Sequence, residues 1–174
     1  MKAILNKDQL SLTIRRLAHQ VAENQNDFSN TVVIGLQPRG IAFSNRLIKE
    51  LYKFSDHISY GKLDITFYRD DVHKELHIAN ATDIPFSIEN KIVVLVDDVL
   101  YTGRTIRAAL DALLDFGRPA KVELCVLIDR RFNRQLPIQP DYTGKMIDTF
   151  ISQKVKVLWE EKDGKDEVVL LNAH

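Results

Sequence analysis

Two adjacent carboxylates, Asp97 and Asp98, stand a few residues before Thr102-Gly103-Arg104-Thr105, and this spacing defines a chemistry. A helix opening at Gly103 to Thr105 presents unpaired N–H groups and the positive end of its dipole, about half an elementary charge, which suits a phosphate. Gly103 lets backbone come close, and the Thr102 and Thr105 hydroxyls add hydrogen bonds. The acidic pair would repel a phosphate but accept hydrogen bonds from two sugar hydroxyls. A ribose 5-phosphate carries both groups at that separation.

The elements that must position these residues flank them. Ile92 to Val96 is an unbroken, mostly β-branched apolar run, as in a strand buried on both faces of a parallel sheet. Ile106, Ala109, Leu110 and Leu113 mark one face of a helix, with Gly117 and Pro119 as stop signals. Upstream, residues 8–24 read as a helix with Leu10, Ile14, Leu17, Ala18 and Val21 on one face, Asp8 as cap, and Arg15, Arg16 and His19 on the other side. Thr31 to Leu36 reads as a short buried strand. Gly35-Leu36-Gln37-Pro38-Arg39-Gly40 then turns into a helix at 41–53, with Ile41, Ile48 and Leu51 inward. That turn aims N–H groups and a guanidinium at one anion.

Ile58 to Phe67 reads as a strand with Leu63, Ile65 and Phe67 alternating against Asp64 and Thr66. The polar stretch from Tyr68-Arg69-Asp70-Asp71 to Asp83 lacks periodicity, and a loop of that length suggests a flexible lid. Lys121 to Ile128 is a further apolar strand. Asp129 to Lys145, rich in Pro and Arg, reads as an irregular excursion outside the sheet, and Val155 to Glu160 and Glu167 to Leu171 as two closing strands. Alternating strands and helices give an α/β fold with a mostly parallel sheet and ligand loops at the strand carboxyl ends.

A chain of 174 residues, 45% hydrophobic, can bury one good core and is expected to form a single domain over 1–174. Lys+Arg 24 against Asp+Glu 24 leaves no net charge, so a nucleic-acid surface must be a local patch. The lone Cys125 lies in an apolar run and reads as a buried small hydrophobe. It excludes an intrachain disulfide and suits a reducing compartment. No signal peptide or membrane-length run is present, so a cytoplasmic location is expected.

The stretch VLVDDVLYTGRT resembles the phosphoribosyl-pyrophosphate (PRPP) motif of type I phosphoribosyltransferases, which adenine, orotate and hypoxanthine enzymes share in related forms. GLQPRGI at 35–41, DITFYRDD at 64–71 and LIDRRFNRQLPIQPDYTGK at 127–145 are more specific, and resemble the PyrR family of pyrimidine operon regulators and uracil phosphoribosyltransferases. The resemblance runs from about Leu10 to about Trp159.

It implies the type I phosphoribosyltransferase fold, a hood at about 129–160, and transfer from PRPP to uracil, giving UMP and pyrophosphate. Pro38, Arg39, Gly40, Asp97, Asp98, Thr102, Gly103, Arg104 and Thr105 are then the PRPP-binding positions. Asp97, Asp98, Arg69 and Arg39 are the catalytic ones. Asp141, Tyr142 and Lys145 are candidates for the base. Mg²⁺ is expected to arrive mainly through PRPP oxygens, without a dedicated protein metal site. Leader RNA of a pyrimidine operon is a further implied partner, through Arg16, His19, Arg134 and Lys145. Two positions depart from the family's RNA face: Arg15 stands where a threonine is usual, and Gln139 where an arginine is usual. A homo-oligomer, dimer or larger, is also implied. A salvage enzyme without RNA regulation, and an enzyme acting on another base, stay open.

Overall fold

The computed structural model describes residues 1–70 and 80–172. Five parallel strands form the central sheet in the order β3-β2-β4-β5-β6. They are β2 (Thr31–Leu36), β3 (Ser59–Leu63), β4 (Ile92–Leu100), β5 (Lys121–Arg131) and β6 (Tyr142–Asp148). β4 sits in the middle, and residues 93–98 of it are all buried, as its continuous apolar run requires.

Helices cover both faces. α1 (Lys7–Gln25) and α2 (Gly40–Leu51) pack with Val94, Val96, Cys125 and Leu127 in one apolar cluster. α3 (Arg104–Leu113) packs through Ile106, Ala109 and Leu113 on Val93, Leu95, Leu124 and Val126 in the other. Right-handed parallel crossovers place the strand-to-helix turns at one edge of the sheet, the carboxyl edge. Cys125 is buried, and burial pushes its thiol far above the ordinary range.

A second, antiparallel sheet, β1-β8-β7, joins the two ends of the chain: β1 (Lys2–Leu5), β7 (Gln153–Leu158) and β8 (Glu167–Asn172). One helical turn, α4 (Glu160–Asp163), connects the last two. Arg46 of α2 ties this sheet to the body through both Asp166 oxygens, at 2.7 and 2.8 Å, and lies over the Trp159 ring.

The structure revises several expectations. Asn6, not Asp8, caps α1, in a reciprocal capping box with Gln9. Ile48 and Leu51 of α2 are buried as expected, together with Phe43 and Leu47, whereas Ile41 is half-buried. The strand expected to run to Phe67 stops at Leu63. Asp64 then accepts from the backbone N–H and hydroxyl of Thr66, which curls the chain into a 3₁₀ turn at Thr66–Tyr68 and leaves Phe67 85% exposed.

Residues 129–145 are not an excursion outside the sheet. β5 runs on to Arg131, and β6 returns as its parallel neighbour, Cys125 level with Tyr142 and Arg131 with Asp148. Only 132–141 is irregular. The separate sheet is built from β1, β7 and β8. The polar stretch read as a lid lies largely at 71–79, outside the described residues.

Candidate active site

The loops at the carboxyl edge converge around the end of β4. Asp97 and Asp98 are 5% and 8% exposed there, and the Asp98 N–H donates to the Asp97 carboxylate at 2.9 Å. Burial pushes the Asp97 carboxyl well above its usual range, with the Asp98 charge adding to it and Arg39 and Arg69 opposing. Burial also raises Asp98, against the pull of Arg39. Two buried acids and two guanidiniums acting on them thus share one site.

The first turn has a tight approach. Gly40 opens α2 against β4, where an added Cβ would stand 2.8 Å from the Val96 carbonyl oxygen and 3.1 Å from Asp97. Only a hydrogen fits there. Pro38 follows a cis peptide bond, and Arg39, exposed, is the cap residue of α2.

The second turn matches the phosphate reading in shape. Gly103 caps α3 in the left-handed region at φ 92°, and the side chain nearest that helix end is Thr102, whose Oγ1 lies 3.4 Å from the Arg104 nitrogen. The first-turn N–H groups of α3 face the carboxyl edge, with the Thr102 and Thr105 side chains half-buried beside them. Ile138 closes on the turn from the 132–141 loop, with its Cγ1 3.0 Å from where a Gly103 Cβ would lie. The Gln135 and Leu136 N–H groups both donate to the Thr102 carbonyl, at 2.9 and 3.2 Å.

Arg104 does not aim at the anion position. Its Nε donates to Gln135 Oε1 at 2.7 Å and its Nη1 pairs with Asp70 at 2.7 Å, so the side chain spans two other loops.

A third feature escaped sequence reasoning. Tyr101, Phe132, Asn133, Arg134, Gln135 and Ile151 line a pocket of roughly 210 Å³ beside the β4 turn. That is below the size usual for drug-like ligands and suits one small planar ring. Buried Arg130 organises it: its guanidinium lies 3.8 Å over the Tyr101 ring and donates to Thr149 Oγ1 at 3.0 Å and the Gln153 carbonyl at 2.8 Å. An arginine in a polar, Pro-rich run reads from sequence as solvated. The only signal was its place two residues after the apolar run of β5.

The residues expected to read the base are placed elsewhere. Tyr142 is 3% exposed in the cluster shared with α1, and its hydroxyl donates to Glu123 at 2.6 Å while accepting from Gln25 and Asn24. Burial, then the bond to Glu123, pushes its phenol up to about 12. Asp141 closes the start of β6, exchanging bonds with the Leu124 N–H and carbonyl at 2.8 and 2.9 Å. Both stand on the α1 side of β6, beside Gln20, Glu23 and Asn24. Lys145 is exposed, and its Nζ is 3.4 Å from the Ile4 carbonyl oxygen.

The basic residues expected on an RNA face divide into two groups. Arg16 reaches from α1 to the Gly144 carbonyl of β6, next to Lys145, and one turn on the His19 ring meets Phe54 edge-to-face at 4.9 Å. Arg134 is instead engaged at the pocket, paired with Asp129 at 2.6 Å and donating to the Tyr101 carbonyl at 2.6 Å. Among the described residues no helix is long and apolar enough to cross a membrane, and no group of three His, Cys, Asp or Glu side chains could hold a metal.

Known proteins carry the same pattern. The family described as phosphoribosyl transferase domain matches residues 1–162. "Bifunctional protein PyrR" of Pelotomaculum thermopropionicum is 44% identical over 173 residues, covering 98% of this chain and 95% of that protein. The protein of the same name from Chloroflexus aurantiacus is 44% identical over 175 residues, covering 99% and 96%. Among solved structures, hypoxanthine phosphoribosyltransferase of Trypanosoma cruzi superposes with a TM-score of 0.76 at 19% identity, covering 100% of this chain and 98% of that one, which shows the shared fold.

Proposed function

The chain belongs to the phosphoribosyltransferase family and, within it, to the bifunctional PyrR proteins, and from that membership we propose that it joins uracil to PRPP, giving UMP and pyrophosphate, and that UMP in turn governs its binding to pyrimidine-operon leader RNA. The observation that carries the enzymatic half is the buried Asp97–Asp98 pair, followed five residues after Asp98 by a left-handed Gly103 that opens a helix. A sugar that carries both vicinal hydroxyls and a phosphate meets both parts at once.

Each part has a role in the transfer. The Thr102 to Thr105 turn holds the 5-phosphate as a remote anchor, its binding energy holding the ribose in place for reaction. Asp97 and Asp98 accept hydrogen bonds from the ribose hydroxyls. As the bond from C1 to pyrophosphate breaks, positive charge grows on the ring, and the carboxylates favour it. Arg39 and Arg69 neutralise the leaving pyrophosphate. The 210 Å³ pocket at Tyr101 and Arg134 takes the pyrimidine, a place assigned from its closeness to the β4 turn.

Two carboxylates side by side fit a Mg²⁺ ion that keeps most of its waters and substrate oxygens, because such an ion needs few protein ligands. When bound with PRPP it supplies further neutralisation of the pyrophosphate.

The regulatory half rests on the α1–β6 surface, where Arg16 reaches the Gly144 carbonyl beside Lys145 and where Arg15, Arg16, His19 and Lys145 are each exposed. Its decisive experiment is a titration of a pyrimidine-operon leader transcript with and without UMP at two salt concentrations. Tight, sequence-selective binding strengthened by UMP supports the bifunctional reading. Weak binding, erased by salt and indifferent to UMP, leaves a salvage enzyme on the regulator's scaffold. Side-by-side turnover with uracil, hypoxanthine, adenine and orotate tests the choice of base.

A further inference from the structure

The segment that leads out of β3 is held from outside by α3. Asp70 pairs with Arg104 Nη1 at 2.7 Å and with Arg107 Nη2 at 3.6 Å. Tyr68, two residues earlier, bonds to Asp115 in the 3₁₀ turn that follows the same helix. Arg104 is itself fixed from a second side by Gln135, at 2.7 Å. The clamp on Asp70 is therefore anchored in both the phosphate turn and the pocket loop.

Arg69 lies between these two attachments with an extended backbone, φ −79° and ψ 138°. Asp70 is held to α3, and the charge of the adjacent Arg69 acts on the Asp97 carboxyl. We propose that Asp70 is a positioning residue for the transfer: its ion pairs with Arg104 and Arg107 aim the neighbouring Arg69 at the pyrophosphate side of the Asp97 site. The inference rests on the role given to Arg69 above and adds to it the device that sets its direction.

Stability is not what these pairs provide. The Asp70, Arg104 and Arg107 side chains are 41%, 43% and 39% exposed, and pairs so open to water contribute about 0–1 kcal/mol to folding. Direction matters more, since misplacing a charge by an ångström can cost about a hundredfold in rate. The pairing also gives Arg104 a use that its position at the phosphate turn does not.

The test is a cycle of four proteins: wild type, Asp70→Ala, Arg69→Ala and the double variant, with Asp70→Glu as a rescue. Expected for Asp70→Ala is a kcat about 10- to 100-fold lower, with UMP affinity unchanged and Tm within about 4 °C of wild type. Asp70→Glu recovers most of the rate. In the Arg69→Ala background, removing Asp70 has no further effect. Wild-type kcat in Asp70→Ala overturns the inference, as does an undiminished Asp70 effect in the absence of Arg69. Wild-type turnover by Arg69→Ala alone would instead remove the pyrophosphate role of Arg69, and the inference with it.

Discussion

The Asp98 N–H donates to the carboxylate of Asp97 across 2.9 Å, so the two acids are joined through backbone as well as by their charges. Both lie buried at the end of a central strand, and burial raises both carboxyls. Such an arrangement costs folding free energy at neutral pH and is kept at sites that bind or react.

Asp97→Asn is therefore expected to stabilise the free protein. A folded-state pKa raised above the unfolded value means that the native state holds its proton more readily. The contribution of the acid to stability is full below the unfolded value, about 3.9, and is lost as pH rises through the raised one. The asparagine variant should gain about 1 kcal/mol or more at pH 8, some 2–4 °C in Tm for a chain of this size. The gain should vanish near pH 4. Thermal unfolding across that range checks it, and a lower Tm than wild type at pH 8 would contradict the argument.

Asp98→Asn separates chemistry from anchoring. Loss of its charge removes stabilisation felt mainly as the ribose ring becomes positive, so kcat should fall by roughly 10²–10³. Affinity for ribose 5-phosphate should fall far less, because the Thr102 to Thr105 turn is untouched and the asparagine oxygen still accepts from a ribose hydroxyl. Steady-state kinetics with a direct binding titration would show it. Near-wild-type kcat would sink the role.

Arg130 has consequences of both kinds. Arg130→Ala removes the stack on Tyr101 and the bonds to Thr149 and Gln153, an interior loss of about 2 kcal/mol. A Tm lower by roughly 4–8 °C follows. Because the same bonds hold the 149–153 turn beside the pocket, KM for the base should rise more than KM for PRPP. Lysine should rescue poorly, since it lacks the planar fork. Equal changes in the two KM values would argue against a pocket role.

What was legible beforehand was what local pattern controls. The β-branched run of Thr31–Leu36, the Gly103 turn and the apolar face of α3 lie where periodicity and turn chemistry put them. What was hidden depends on partners distant in sequence. Tyr142 looks like a polar residue in an irregular loop until Glu123, 19 residues earlier, and Gln25 of α1 claim its hydroxyl. β6 was obscured because Thr143, Gly144 and Lys145 form no apolar alternation, and its pairing with β5 is what makes it a strand. Arg104, expected to bind PRPP, is held by Asp70 and Gln135, and Arg130 lies over Tyr101, because a guanidinium's partner cannot be seen from its own neighbours. Phe67 continues an alternating pattern that Asp64 breaks by bonding to the backbone two residues on.

The phosphate turn yields the last prediction. Gly103 holds φ 92°, where an L-residue pays about 1–2 kcal/mol, and a Cβ there would press on Ile138 at 3.0 Å and 3.2 Å. Gly103→Ala should therefore shift the first N–H groups of α3 away from the anion. UMP and ribose 5-phosphate affinities should fall together by about tenfold, near 1.4 kcal/mol, while affinity for the free base is unchanged. Calorimetric titration of all three ligands checks this. If the free base weakened while ribose 5-phosphate held, the Gly103 turn would serve the pocket through Ile138 and the 5-phosphate would have to be anchored elsewhere.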